Sequence, residues 1–556
     1  MRRVTKNQIA LTLSLTLAGL LALAVHHVLA WQTPEFPNSR IPTTSTTNWG
    51  GPLPGDTTLH PADNPHLVTG DLIVPAGVTL TVEPGVELYF APDTSLIVYG
   101  RLLATGTPTQ TILFTRRDAG TYWGAIAILN SPADNHISHA VIEYTSTREG
   151  NIPRSNGVTA YGSTLTLADS VLRYTRGRDG AGVVANLNST LYLLRNEIHD
   201  IQGDAVHPTG GVAVIQGNHI YNARWGVYYY EGIEISKMSP ESPALVADNH
   251  IHDVSDDCLD VNDSWAIVER NRLHHCADKA ISIGTGGSVF PGTATSSVTL
   301  VNNLVYTSQI GVAIKDNAIA RLVHNTIADN ATGLALYETQ EHPSAGGGYA
   351  TVTNTILWGN GQSISLDAFS TLTVFYSDVQ EGWPGQGNLD TNPLFLATGD
   401  YRLGNGSPAI NAGRDAGVAL DLDGQPRPVG RAPDLGAYEL QRLLDLSAWP
   451  GDERIHLAWQ VAGHEPALNS FAISYTLRPQ KGSTLYPPGL ITGLPTTTLA
   501  YTLTGLVNYA RYTVAVEGWD TSDNVLLRSN PVAVMPTDLY VYLPLTLRRG
   551  TATSSP

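Results

Sequence analysis

The chain has 556 residues, too many for one ordinary domain, so two or more structural units are expected. Hydrophobic residues make up 42%, Gly numbers 53 and Pro 34, and charged residues only 15%, a balance of strands and turns rather than of surface helices. The formal net charge of −17 argues against a nucleic-acid partner, which rewards Lys/Arg patches, and is compatible with carboxylate-bound calcium or a neutral glycan.

In chain order, residues 1–30 read as an export signal. Arg2, Arg3 and Lys6 form a basic start, Ile9 to Val25 is apolar and uncharged, and Val28-Leu29-Ala30 offers a small-residue cleavage site. The apolar run approaches spanning length, so an uncleaved anchor is the alternative; no later segment reads as a membrane span. Residues 31–59 read as a Thr/Pro-rich linker. Cys258 and Cys276 then lie in an oxidising compartment, but two cysteines are too few for a disulfide scaffold.

From residue 60 a repeat dominates. The unit Asn-x-Ile/Leu/Val recurs at Asn196, Asn218, Asn249, Asn271, Asn303, Asn325 and Asn354, with spacings of 22, 31, 22, 32, 22 and 29 residues. Each unit follows a short alternating strand and precedes a second strand of the type Cys258-Leu259-Asp260-Val261. About 22 residues with several short strands make one turn of a β-solenoid, with coils ~4.8 Å apart and inward apolar side chains stacked into a continuous core. The asparagines are expected in one ladder of turns, each bonding the next and tolerating left-handed backbone.

These features resemble secreted bacterial right-handed parallel β-helix proteins of the pectate-lyase-like group. Weaker copies such as Ala140-Val141-Ile142-Glu143-Tyr144 extend the likeness towards the N-terminus. Asp434-Leu435-Gly436-Ala437-Tyr438-Glu439 resembles the closing segment of such proteins. The resemblance implies an all-β chain with a β-helix over 60–390 and a closing segment over 391–440. Residues 441–537, with Trp459 and the run Tyr501 to Tyr509, resemble a fibronectin type III sandwich. Residues 538–556 form a Thr/Ser/Pro-containing tail.

Stacking the repeats predicts a surface. One outward column runs His207, Tyr228, Asp260, Ser282, Ala313, Ala335, and its neighbour Thr209, Tyr230, Asn262, Gly284, Lys315, Tyr337. Loops 231–242, 285–297 and 338–349 leave the same edge and would wall a cleft. His207, Tyr228, Tyr230, Asn262 and Tyr337 are the candidate sugar contacts. Asp256, Asp260 and Asp278 are candidate calcium ligands, since stacked carboxylates ~5 Å apart recruit a cation or raise a pKa. Solvated aspartates partly paired with Lys279 are the competing reading.

Two functions remain open from sequence. One is a secreted protein that binds or degrades polysaccharide, a lyase more readily than a glycoside hydrolase or epimerase. In it Lys315 would take the proton beside a uronate carboxylate, and Asp260 would help hold the calcium that neutralises that carboxylate. The other is a non-catalytic cell-surface adhesin or stalk. A second polar column, His199, Tyr221, His252 and His274, reads as stacked surface side chains, because a zinc site needs convergent ligands. A 22-residue coil sets Cys276 opposite residue 254, ~13 Å along an extended strand from Cys258, so two free buried thiols are expected.

Overall fold

The computed structural model describes residues 47–538, apart from 147–156, 177–182, 224–228, 286–295, 340–345, 463–467, 478–488, 522–524 and positions 398, 405, 430–431, 441–442 and 530. The expected export signal and most of the tail lie outside the described residues. Among those described, no helix is long and apolar enough to cross a membrane.

Each coil folds as three short strands, and each strand pairs in parallel with its equivalents one coil before and after. Leu259–Asn262, Trp265–Glu269 and Arg272–Cys276 form one coil, pairing with Lys279–Gly284, Ser297–Val301 and Leu304–Tyr306 of the next. Alternation explains the core. Leu259, Val261, Ala266, Val268 and Leu273 point inward and are buried, and their counterparts Ile281, Ile283, Val298 and Leu300 stack upon them. Each fully buried Ile or Leu contributes about 1.5–3 kcal/mol, repeated at every coil. The stacking gives three parallel faces, called here the site face (Leu259–Asn262), the second face (Trp265–Glu269) and the third face (Arg272–Cys276).

The asparagine ladder forms with two corrections. Asn196, Asn218, Asn249, Asn271, Asn303 and Asn325 are buried, and each after Asn196 accepts the backbone N–H and the Nδ2–H of the one before it at 2.9–3.0 Å. Asn354 is not the next rung. Thr355 is, accepting the Asn325 N–H at 3.3 Å, while Asn354 bonds His324 and the Arg414 carbonyl. Nor are the ladder residues left-handed: that conformation falls on the residue before each, Arg195, Asp248, Arg270, Asn302 and His324 among them. The preceding residue turns the corner, which frees each asparagine amide to point inside. A shorter second ladder, Ser308, Asn330 and Asn360, stands at the next corner.

Three further expectations are corrected. The solenoid begins inside the stretch read as a linker, because Thr47–Pro52 pairs with the strand His66–Val74 and Thr57–Leu59 with Thr79–Val82. The strand facing Leu259–Asn262 from the preceding coil is Ile233–Ser236, not residues 226–229. Cys258 and Cys276 form a disulfide with Cα atoms 5.5 Å apart. Cys276 does pair with Val254 as the coil length requires, but the turn after Val254 folds Cys258 back towards it, shortening the extended path.

The closing segment returns along the third face. Tyr401, Leu422, Ala437 and Tyr438 pack on Leu304 and Ala328, Arg272 pairs with Asp423 at 2.5 Å, and the Tyr401 hydroxyl donates to Asp329. Asp421 accepts the N–H groups of Asp423, Gln425 and Glu439, so its Asp-Leu-Asp-Gly stretch is a structural turn. Beyond it, a three-stranded and a five-stranded antiparallel sheet share one core, in which Trp459 meets Phe471 edge-on at 5.6 Å.

Candidate active-site recess

The site face carries two columns of ionisable residues. The first stands just before the strands. Backbone bonds from Ala205 to Glu231, Gly232 to Asp257 and Cys258 to Lys279 align Asp204, Glu231, Asp257 and Lys279 on successive coils. Asp204 and Asp257 each accept the backbone N–H of the residue above, at 3.2 and 2.9 Å. The second column, three residues on, runs His207, Glu234, Asp260 and Ser282.

Outward side chains on a β-helix normally meet water, but these do not. His207 is 7% exposed, Asp260 9% and Ser282 0%, so this stretch of the face, called here the recess, is screened from water. His207 Nδ1 stands 2.8 Å from Glu234 and 3.4 Å from Asp204. Burial alone would lower its pKa, but the two carboxylates outweigh burial and hold it at about 9. Burial favours protonation of Asp204 as well, yet contacts with His207 and Glu231 keep it ionised, below its ordinary value. Glu231 moves the other way: burial first, then Asp204, Glu234 and Asp260, push it far up, so it carries a proton at neutral pH. Three outward groups of this face, Thr159 Oγ1, Asp260 Oδ1 and Ser282 Oγ, are buried without a hydrogen-bond partner among the described residues. Thr159 and His207 share one register through Ala185.

The acid cluster is present with a changed membership. Carboxylate oxygens of Asp256, Asp257 and Asp278 lie within 4.8 Å of one another, so Asp257 stands where Asp260 was expected. The Lys279 ammonium lies among them, 3.4 Å from Asp257 and in contact with Asp278. Burial pushes Asp256 and Asp257 up, the ammonium opposing it. The same burial would lower Lys279, but Asp257 and Asp278 raise it.

Of the predicted sugar contacts, His207 and Asn262 lie on this face, with Asn262 donating to Asp260 Oδ2 at 2.6 Å. Tyr337 pairs in register with Lys315, and both are half-buried. The Lys315 stem lies over Gly284, where an added Cβ would stand 2.9 Å from it. Tyr228 lies outside the described residues. Tyr230 is fully buried, not an outward platform; Ser236 takes its place beside Asn262. Glu231 and Glu234 were missed. The signal for them is the motif acid–small–apolar–polar, present as Asp204-Ala205-Val206-His207, Glu231-Gly232-Ile233-Glu234 and Asp257-Cys258-Leu259-Asp260.

Residues 181–356 match the family model of the right-handed β-helix region, which gives the solenoid its hand. Among curated proteins, Protein bark beetle of Drosophila melanogaster is 42% identical over 64 residues, 12% of this chain and 2% of that protein, so the chain spans a very small part of that relative. Among solved structures, a periplasmic alginate epimerase is similar over 58% of this chain and 78% of its own, at 13% identity and a TM-score of 0.42. The pectate lyase Pel9A is similar over 66% and 88%, at 14% identity and a TM-score of 0.35. Residues 181–356 thus form a right-handed parallel β-helix by their match to that model.

Proposed function

We propose that the recess binds an extracellular polysaccharide along the coil axis and acts on uronate units by elimination or epimerisation. One observation carries this: Thr159, Asp260 and Ser282 present buried, unpartnered polar atoms along one face. Unpartnered buried polar atoms are costly, and a polymer of hydroxyl-bearing rings laid along the coils would satisfy them. Lys315 is the proposed base that takes the proton beside the uronate carboxylate. In elimination the C–H electrons form the new double bond, the glycosidic C–O bond breaks, and the leaving oxygen takes the proton that Lys315 has just accepted. In epimerisation the carbon regains a proton from water on the opposite side. The Lys279 ammonium would meet the substrate carboxylate and the charge that develops on it, and the His207 imidazolium the carboxylate of a more distant unit of the same polymer.

Calcium is proposed at the Asp256, Asp257 and Asp278 oxygens, where it would have to displace Lys279. Secretion is part of the same proposal, as is a fibronectin type III-like spacer over 441–537. The latter is supported by the Tyr512 hydroxyl, which accepts the Val507 N–H at 3.0 Å.

The test is a panel including alginate and pectate, read for unsaturated products, for reducing ends and for binding, with and without chelator. Lys315→Ala should abolish product while binding persists. Binding without product in the parent protein would favour the adhesin or stalk, and no binding to any glycan would overturn the reading.

A further inference from the structure

The third face holds a second constellation, away from the recess. His219 pairs in register with His250, and Tyr221, His252 and His274 form the column two residues on. The rings stack tightly: His219 on His250 at 4.9 Å and His252 on His274 at 4.8 Å, each pair within 5° of parallel. Across the columns, His219 Nε2 lies 2.9 Å from His252 Nε2, and His250 Nε2 lies 2.8 Å from His274 Nε2. All four rings are half-buried. Sequence spacing alone left convergence undecided; the structure supplies it, because alternate residues of adjacent coils share one side of the sheet.

A carboxylate orients the central ring. Adjacent residues of an extended strand point to opposite faces, but Asp253 is left-handed, with φ 55°, and its side chain returns to the same side as His252. Asp253 Oδ2 sits 2.7 Å from His252 Nδ1. An ionised carboxylate only accepts, so Nδ1 carries the proton and the Nε2 lone pair faces His219. This carboxylate–histidine pairing is the arrangement that typically supports a metal-bound imidazole.

We propose that His219, His250 and His252, with His274 as a fourth ligand, bind one first-row divalent metal ion of the zinc or cobalt type. One ligand nitrogen from each of the first three lies within 4.8 Å of the others. Tetrahedral nitrogens at ~2.0–2.1 Å from zinc would need only small ring rotations from this arrangement. The ligands are all imidazole, which suits zinc, copper, nickel and cobalt rather than calcium. The neighbouring groups that bond these rings do so at Nδ1, Asp253 on His252 and His275 on His274 at 2.6 Å, while the Nε2 atoms converge. Arg272 turns to Asp423, and Glu197 accepts the Tyr221 hydroxyl at 2.7 Å. The ligands come from three successive coils, so the ion would pin those coils together.

The experiment uses the full chain, stripped with chelator and titrated with Co²⁺ alone, followed by visible absorbance and melting temperature. The expected result is one equivalent giving intense tetrahedral bands and a raised melting temperature. His252→Tyr and His274→Tyr should lose the bands; tyrosine already occupies this column at 221 and 306, so stacking is kept. Asp253→Asn should weaken binding by ~10–100-fold. His207→Ala should keep the bands, which separates this site from the recess. If His252→Tyr does not fold, His219→Gln replaces it. Absence of Co²⁺ bands in the parent, or equal binding by the parent, the folded His variants and Asp253→Asn, would overturn the proposal.

Discussion

Lys279 meets Asp257 twice: its backbone N–H donates to Asp257 Oδ1 at 2.9 Å, and its ammonium stands 3.4 Å from the same oxygen. The two residues are 22 positions apart in sequence and adjacent in the stack. This pair decides whether the acid cluster is a cation site or a cluster that carries its own cation.

Replacing Lys279 by Met should therefore destabilise the fold by about 3–5 kcal/mol at neutral pH, because buried carboxylates lose their counter-charge. Asp256 and Asp257 already have raised pKa values, so the loss should shrink as pH falls and they take up protons. Denaturant titration over a pH series measures both. Calcium should stabilise this variant more than the parent if the three aspartates can hold it; an equal or absent response counts against calcium there.

The ladder predicts a graded series. Asn271→Leu removes the acceptor for two Asn249 N–H groups and the donor to Val246 and Asn303, at a cost of roughly 2–5 kcal/mol. Asn271→Thr should cost less, since Thr355 serves as a rung in the same ladder. A melting temperature unchanged in the Leu variant would contradict the burial of this rung.

His207 makes stability depend on pH in the alkaline range. Its folded value of about 9 lies above that of an unfolded histidine, ~6.5. Its stabilisation is complete below pH ~6.5 and is lost as pH rises through about 9, about 3 kcal/mol in all. Chemical denaturation of the parent between pH ~6 and ~10 should show this fall, and His207→Gln should flatten it.

Intact-mass measurement of the unreduced chain should find it two hydrogens lighter than the reduced one, with no thiol titrating before denaturation. Replacing both cysteines by Ala should cost no more than ~3 kcal/mol, as expected for a short closed loop.

Periodicity determined the solenoid, the shared row of Asn196 to Asn325 and the inward positions. Those follow from a repeat of ~22 residues and strand alternation, both local properties of a sequence. Register across an insertion was not legible. Gly226-Val227-Tyr228-Tyr229 and Ile233-Glu234-Ile235-Ser236 both have strand character, and only pairing with Leu259–Asn262 selects the second. That choice buries Tyr230 and brings Glu231 and Glu234 into the recess. The disulfide depended on the path of one turn, and the histidine cluster on the left-handed Asp253 and the approach of three coils. Sequence spacing gives distance along the chain, whereas these sites depend on side-chain directions set by contacts between coils, which exist only once the coils are stacked.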